Sequence, residues 1–147
     1  MNSYEDDLRE TLKADFESGE LREVGESDTV FGALSKAYPA NGSKIDWAKV
    51  PDSIERIEED ESSQPESFAE FFDEMRLKFC LSGTVLYAGD SATDFALEGS
   101  VDAIRRILPK LLEVPQHHYF IGIGYSWCIC LTMEGDMAFG LSPRRLG

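Results

Sequence analysis

Three apolar stretches separated by very short links end the sequence and restrict the fold more than any other feature. The stretches "HHYFIGIG", "SWCICLTM" and "MAFGL" favour strands, and their links consist of Tyr125 in one case and residues 134–136 in the other. Parallel neighbours need a crossover of roughly a dozen or more residues. Such short links therefore predict antiparallel pairing, and residues 80–147 are expected to form a mainly antiparallel sheet.

The middle one of these stretches has two apolar faces. Side chains alternate along a strand, so the odd-numbered residues from Trp127 to Leu131 share one face and the even-numbered residues from Cys128 to Thr132 share the other. A strand with two apolar faces is typical of the middle of a sheet. We therefore expect a central strand with helices covering at least one side.

Residues 80–116 add two strands and one helix to this half. "LSGTVLYAGD" and "DFALEGS" favour short strands joined by a turn. "SVDAIRRILPKLLEV" predicts an amphipathic helix capped by Ser100. Pro109 predicts a kink in this helix or an end near Leu108.

Helical spacing dominates residues 1–79. An opening helix is expected to end at Gly19, and residues 30–37 predict a second, short helix. The apolar residues of 47–57 recur at intervals of three and four, which predicts a further helix broken or restarted at Pro51.

A phenylalanine-rich helix follows. Ser63 and Glu66 match a capping box, and Pro65 falls in the first turn, where its missing N–H costs little. Its acidic residues fall mainly on the side opposite the aromatic ones, which predicts an aromatic stripe in the core and acids in water. The stripe consists of Phe68, Phe71, Phe72, Met75 and Phe79.

These elements predict an α+β fold in which N-terminal helices pack on a C-terminal, mainly antiparallel sheet. The length of 147 residues suits a single domain over residues 1–147, with a mainly helical acidic part (1–79) and a sheet-forming part (80–147).

Negative charge is concentrated in the first half of the chain. Residues 1–28 hold ten acidic and three basic residues, and residues 46–74 hold eleven acidic and two basic ones. Residues 75–147 contain seven of each sign, so the first half accounts for the whole formal net charge of −14. This asymmetry predicts an acidic face that attracts a basic partner, or a surface kept negative for solubility.

The same charge argues against a nucleic-acid ligand, because phosphates would be repelled. No long apolar run is present, and the start "MNSYEDDLRE" lacks the basic and apolar parts of a signal peptide. We therefore expect a cytoplasmic protein without a membrane partner. The three cysteines are expected to be buried free thiols.

Catalytic and metal-binding patterns are weak. "GYSWC" departs from a nucleophile elbow at its last glycine, so Ser126 is expected to be a hairpin-turn serine. The adjacent His117 and His118 point to opposite faces of a strand and are expected to be structural residues at an edge of the sheet, although a general-base role for one of them, paired with Asp90 or Asp94, remains an alternative. No metal ligand set or cofactor motif is found, and no enzymatic activity is predicted.

The ending "HHYFIGIGYSWCICLTMEGDMAFG" resembles the immunity proteins of bacterial contact-dependent inhibition and other polymorphic toxin systems. The resemblance covers an aromatic strand, a strand with Trp and Cys, and a Glu-Gly-Asp turn into a Phe-Gly strand. It implies a small, non-catalytic cytosolic protein that binds one cognate toxin domain and blocks its active site or substrate surface. Such toxins are often nucleases with basic substrate-binding surfaces.

Charge and resemblance together predict which residues contact the toxin. Two alternatives stay open: a small-molecule-binding module or enzyme with its site on the sheet, and an acidic adaptor for another basic protein. The candidate partner-binding residues are Glu58, Glu59, Asp60, Glu61, Glu70, Asp73 and Glu74, with Asp6, Asp7 and Glu10 as a second group.

Overall fold

The computed structural model describes residues 3–41 and 44–143. Its α-helices are α1 (Ser3–Thr11), α2 (Lys13–Ser18), α3 (Ser27–Ala37), α4 (Gln64–Phe79) and α5 (Val101–Leu111). Its strands are β1 (Leu21–Glu26), β2 (Ala40–Asn41), β3 (Lys44–Ile45), β4 (Ile54–Ile57), β5 (Thr84–Gly89), β6 (Phe95–Ser100), β7 (His118–Gly122), β8 (Trp127–Leu131) and β9 (Asp136–Leu141). Short 3-10 helices span Trp47–Lys49, Glu61–Ser63 and Ile123–Tyr125.

Seven strands form one antiparallel sheet in the order β1-β6-β5-β7-β8-β9-β4, and β2 and β3 form a separate hairpin. The predicted α+β fold, with N-terminal helices and C-terminal antiparallel strands, is confirmed. The N-terminal part also supplies β1 and β4, which are the two edge strands of the sheet. The sheet therefore consists of five C-terminal strands flanked at each edge by a strand from the N-terminal part.

The sheet has a core on each face. Side chains of α1, α4 and α5 pack with one face of the sheet, and those of α3, Tyr38, Ile45 and Val50 pack with the other. In the central strand β8, Trp127 and Ile129 belong to the first core, and Cys128 and Cys130 belong to the second. The prediction of a central strand with two apolar faces is confirmed.

The aromatic stripe of α4 lies in the core as predicted. Phe68, Phe71, Phe72 and Met75 are fully buried. The capping box is wrong: Ser63 makes no side-chain cap to the helix, and its hydroxyl donates instead to Asp60. Ser63 has a helical conformation, with φ −94° and ψ −10°, rather than the extended one in which an N-cap side chain accepts from the first helical turn.

The helix predicted for residues 47–57 is wrong. Only Trp47–Lys49 form a 3-10 turn, and residues 54–57 form β4. Asp52 adopts a positive φ of 59° directly after Pro51, which turns the chain out of the helical direction. Four residues then pair with β9, so strand pairing overrides the helical spacing of the apolar side chains.

Two smaller expectations need correction. Of the two outcomes predicted from Pro109, an end of α5 near Leu108 is wrong, because the helix continues to Leu111 with its buried face packed on the sheet; the Ser100 side chain caps its start as predicted. Cys80 is exposed rather than buried, since it ends α4 in the left-handed conformation at a turn. Cys128 and Cys130 are buried free thiols as expected.

Candidate protein-binding surface

The ten acidic residues predicted to contact a partner lie at three places in the fold. One group forms the segment between β4 and α4, a second lies on α4, and a third lies on α1. All are exposed except Glu58, which is partly buried. The first group consists of Glu58, Glu59, Asp60 and Glu61, the second of Glu70, Asp73 and Glu74, and the third of Asp6, Asp7 and Glu10.

Residues 58–61, hereafter the acidic segment, are anchored to the sheet and to α4 through Glu58. The Glu58 N–H donates to the Gly135 carbonyl at 3.0 Å, and the Gln64 side-chain amide donates to the Glu58 carbonyl at 3.3 Å. The Ser67 hydroxyl donates to the Glu58 carboxylate at 2.6 Å. Glu58 therefore orients the segment, and its own carboxylate is already engaged.

Of the other three acids in the acidic segment, Asp60 is engaged by serine donors, whereas Glu59 and Glu61 present free carboxylates. Hydrogen bonds from the Ser62 hydroxyl, the Ser63 hydroxyl and the Ser62 N–H lower the pKa of Asp60. Glu59 and Glu61 are exposed and make no ion pair with any residue that the structure describes. These two carboxylates lie two residues apart on a segment whose backbone is fixed through Glu58.

The acids of α4 are partly neutralised. Asp73 accepts two hydrogen bonds from Arg105 of α5, at 2.7 and 3.1 Å, and Glu74 pairs with Arg56 of β4 at 2.9 Å. Glu70 is exposed without an ion pair among the described residues. Of this group, Glu70 is therefore the best placed to meet a cation of a partner.

The acids of α1 do not join those of α4 in one patch. Helix α5 packs against both helices. Its Arg105 pairs with Asp73 on α4, and its Arg106 pairs with Asp15 on α2 at 2.6 Å. An arginine-bearing helix thus lies between the two predicted groups, which share one side of the sheet without forming a continuous surface.

A groove on the opposite face of the sheet adds acidic residues that the sequence did not single out. Two adjoining pockets of about 280 and about 500 Å³ are both lined by Trp47, Glu55, Thr132 and Asp136, with Cys130 at their floor. Neither Glu55 nor Asp136 makes an ion pair with a described residue. The stretch "IERI" shows no alternation of apolar and polar residues, so no local signal placed Glu55 on a strand or beside Asp136.

The Cys130 thiol in this groove stays protonated at physiological pH. Burial raises the pKa of Cys130 to about 12, although a hydrogen bond with the Trp47 side chain acts in the opposite direction. The neighbouring Glu55 and Asp136 carboxylates also disfavour a thiolate. The groove therefore offers carboxylates and an indole ring to a ligand, but no nucleophile.

The residues of the alternative site on the sheet are not assembled into one site. Ser126 lies before β8 and donates to the Ile123 carbonyl at 2.8 Å, as expected for a turn serine. His118 pairs with Leu131 at the far end of β8. Asp94 is exposed in the link before β6. No single substrate position contacts these three side chains.

His117 and Asp90 do come together, as the alternative pairing anticipated. The His117 N–H donates to Asp90 at 2.9 Å, and the ring Nε2 lies 3.9 Å from the second Asp90 oxygen. The His117 Nδ1 accepts from the Met133 N–H at 2.9 Å. The ring thus lies between Asp90, in the link after β5, and Met133, in the turn between β8 and β9. The expected edge position is wrong, because β7 lies inside the sheet between β5 and β8.

His118 belongs to a buried polar network. Its Nδ1 lies 2.7 Å from the Tyr87 hydroxyl, which also accepts from the Gln116 amide at 3.1 Å. The side-chain carbonyl of Gln116 in turn accepts from the backbone N–H groups of Ala92 and Thr93 at 2.8 and 3.1 Å. Burial lowers the pKa of His118 to about 4, so the imidazole is neutral at physiological pH.

This burial predicts a loss of stability in mild acid. Unfolded histidine binds a proton below pH ~6.5, whereas folded His118 does so only near pH 4, so the free energy of unfolding falls between these values. The contribution of His118 is complete above pH ~6.5 and decreases by about 3 kcal/mol as the pH approaches 4. Urea unfolding measured from pH 7.5 to 4 checks this.

The control for this pH dependence is His118→Gln, which keeps hydrogen-bonding capacity without a titratable ring. Carboxylates titrate equally in both proteins, so the difference between the two stability profiles isolates His118. Parallel profiles over this pH range would contradict the assignment.

Comparison with protein-family models, with curated proteins and with solved structures gives no match for this chain. Within residues 3–41 and 44–143, no helix is long and apolar enough to cross a membrane. The same residues contain no cluster of three or more His, Cys, Asp or Glu side chains that could hold a metal ion.

Proposed function

We propose that this chain is a cytoplasmic immunity protein that binds a basic toxin domain, of nuclease type, and blocks its active site or substrate surface. The observation that carries the proposal is the acidic segment: Glu58 anchors it to the sheet and to α4, while Glu59 and Glu61 remain exposed and unpaired. Pre-positioned charge favours binding because less conformational entropy is lost on association.

The charge of the whole chain supports the same function. A net charge of −14 attracts a cationic domain at long range and accelerates encounter. Nuclease surfaces bind phosphates with lysine and arginine, and exposed carboxylates compete for those same side chains. Protein binding therefore accounts for the acids better than catalysis does, since the sheet residues do not form a reaction site.

A pull-down from the native host tests the proposal directly. Tagged protein is captured at low salt and washed at rising salt, and the eluate is identified by mass spectrometry. We expect a stoichiometric basic domain of a large secreted toxin that is released as salt increases. Capture of a basic protein without toxic activity would support the adaptor function instead, and a bound metabolite without a protein would support a ligand-binding module.

Neutralising the unpaired acids is expected to slow association with the captured domain. The variant Glu59→Gln/Glu61→Gln/Glu70→Gln removes three exposed carboxylates without breaking an ion pair of the described residues. At low ionic strength the association rate should fall about three- to tenfold, and its salt dependence should flatten. Stopped-flow or surface-based kinetics at several salt concentrations measure both quantities.

The matched control removes equal charge elsewhere. Glu17, Glu26 and Asp28 are exposed and make no ion pair with described residues. The variant Glu17→Gln/Glu26→Gln/Asp28→Asn therefore removes the same number of negative charges. If both triple variants slow association equally, net charge alone attracts the partner and the acidic segment has no special role.

A further inference from the structure

Strand β4 leaves one edge of the sheet open among the described residues. It pairs only with β9, in continuous register from Ile54 opposite Phe139 to Ile57 opposite Asp136. The same register continues into the acidic segment, where the Glu58 N–H bonds to the Gly135 carbonyl. Backbone groups alternate in direction along an antiparallel strand. The backbone N–H and C=O groups of Glu55 and Ile57 consequently point away from β9, toward the open side of the sheet.

The opposite edge of the sheet is built differently. Strand β1 shifts register between Glu23 and Glu26, and Gly25 adopts a φ of +112° within that irregularity. Bulges of this kind are devices by which proteins prevent a further strand from pairing with an edge. Strand β4 has no register shift over its four residues. The two edges therefore differ in their readiness to accept another strand.

The side chains at the open edge favour a cationic strand. Glu55 and Ile57 lie on the groove face, where Asp136 and Trp47 line the same pockets. Ile57 is 57% exposed. Arg56, the single base of β4, is engaged on the other face by Glu74 at 2.9 Å and by the ring of Phe71 at 5.1 Å. No unpaired positive charge of β4 thus opposes a basic ligand.

We propose that β4 binds an extended basic segment of the partner as an additional strand of the sheet. Residues paired with Glu55 and Ile57 would direct their side chains over the groove, because directly opposed residues share a face. Lysine or arginine at those positions reaches Glu55 and Asp136, and its aliphatic stem packs on Ile57 and Trp47. This inference rests on the proposed function and specifies its mode of recognition as strand addition.

A second copy of the chain fits the open edge less well. Each copy carries a net charge of −14 and brings its own acidic segment directly after β4. Edge-to-edge pairing would place these like charges within one small interface, which is unfavourable. A cationic segment relieves the same repulsion, so charge complementarity selects it as the occupant.

The test uses capped hexapeptides that alternate lysine and valine. In an extended chain all lysines share one face, and the lysine N–H groups share one edge. In an antiparallel pairing the lysine residues opposite Glu55 and Ile57 direct their N–H groups toward β4, so N-methylation of the lysine residues blocks that edge, whereas N-methylation of the valine residues blocks the opposite edge at identical charge. Amide hydrogen exchange of Glu55 and Ile57 is followed by NMR on the full chain, with each peptide at saturation.

We expect the unmodified and valine-methylated peptides to slow exchange at Glu55 and Ile57 by about tenfold or more, and the lysine-methylated peptide to give no protection. The variant Ile57→Pro should also weaken binding about tenfold, since it removes an outward-facing N–H without losing a bond to β9. Ile57→Ala keeps that N–H and serves as its control.

Other results would overturn the inference. Equal binding of both methylated peptides, without protection of Glu55 and Ile57, would mean attraction by charge alone and would leave the immunity function standing. Protection that rises with protein concentration in the absence of peptide would assign the edge to a second copy. If the peptides dock as expected but the host pull-down yields no toxin, strand addition stands and the proposed immunity function fails.

Discussion

Replacing Phe72 with alanine is expected to lower the free energy of unfolding by about 3–5 kcal/mol. The ring is fully buried between α4 and the sheet, 5.8 Å from Phe120 of β7 and 6.5 Å from Phe68 of the same helix, measured between ring centroids. Its removal costs the transfer free energy of the ring and leaves a cavity that rigid neighbours fill only in part. Urea unfolding at neutral pH measures the loss.

Leu77 supplies the control on the same helix. Its side chain is 84% exposed, so Leu77→Ala removes apolar atoms without opening a cavity and should change stability by less than about 0.5 kcal/mol. A loss below about 1 kcal/mol for Phe72→Ala would contradict the packing of α4 on the central strands.

Gly135→Ala is expected to destabilise the protein by about 2–4 kcal/mol and to disturb the acidic segment as well. Gly135 has a φ of +93°, which strains any other residue. An added Cβ would also lie 2.1 Å from the Glu58 carbonyl oxygen, so the backbone contact that anchors the segment must move. We therefore expect slower association with the basic partner in addition to a lower urea midpoint.

Gly124→Ala separates conformational strain from the clash. Gly124 has a φ of +65°, but no atom lies within 4 Å of an added Cβ. This variant should cost only the strain of the left-handed conformation, about 1–2 kcal/mol, and should leave association unchanged. If the two variants lose stability equally and bind equally, contact between Gly135 and Glu58 has no role in placing the acidic segment.

Local patterns predict the elements whose side-chain period and tertiary environment agree. The α4 stripe recurs at helical spacing and faces the core, fully buried except for the partly buried Phe79, and the short links after β7 and β8 leave antiparallel pairing as the only geometry. Residues 54–57 show the opposite case. Their apolar spacing fits a helix, but the backbone of these four residues pairs with β9. No local pattern reveals that distant partner.

The candidate site divides in the same way. The exposure of Glu59, Glu61 and Glu70 follows from their position opposite or outside the aromatic stripe. The sequence does not predict that these three acids lack an ion pair. Asp73 and Glu74 look equivalent in sequence and yet are paired with Arg105 and Arg56. Ion pairing between distant segments depends on which helices become neighbours.

Charge asymmetry, the two-faced central strand and the antiparallel C-terminal sheet were determined by the sequence alone, since each depends on residue type and short-range spacing. Tertiary structure decided that N-terminal strands occupy both edges of the sheet, that α5 separates two acidic groups, and that Glu55 and Asp136 share a groove. These features join residues far apart in the chain. Only the packing of the whole domain selects such contacts, because many alternative pairings satisfy the local pattern equally well.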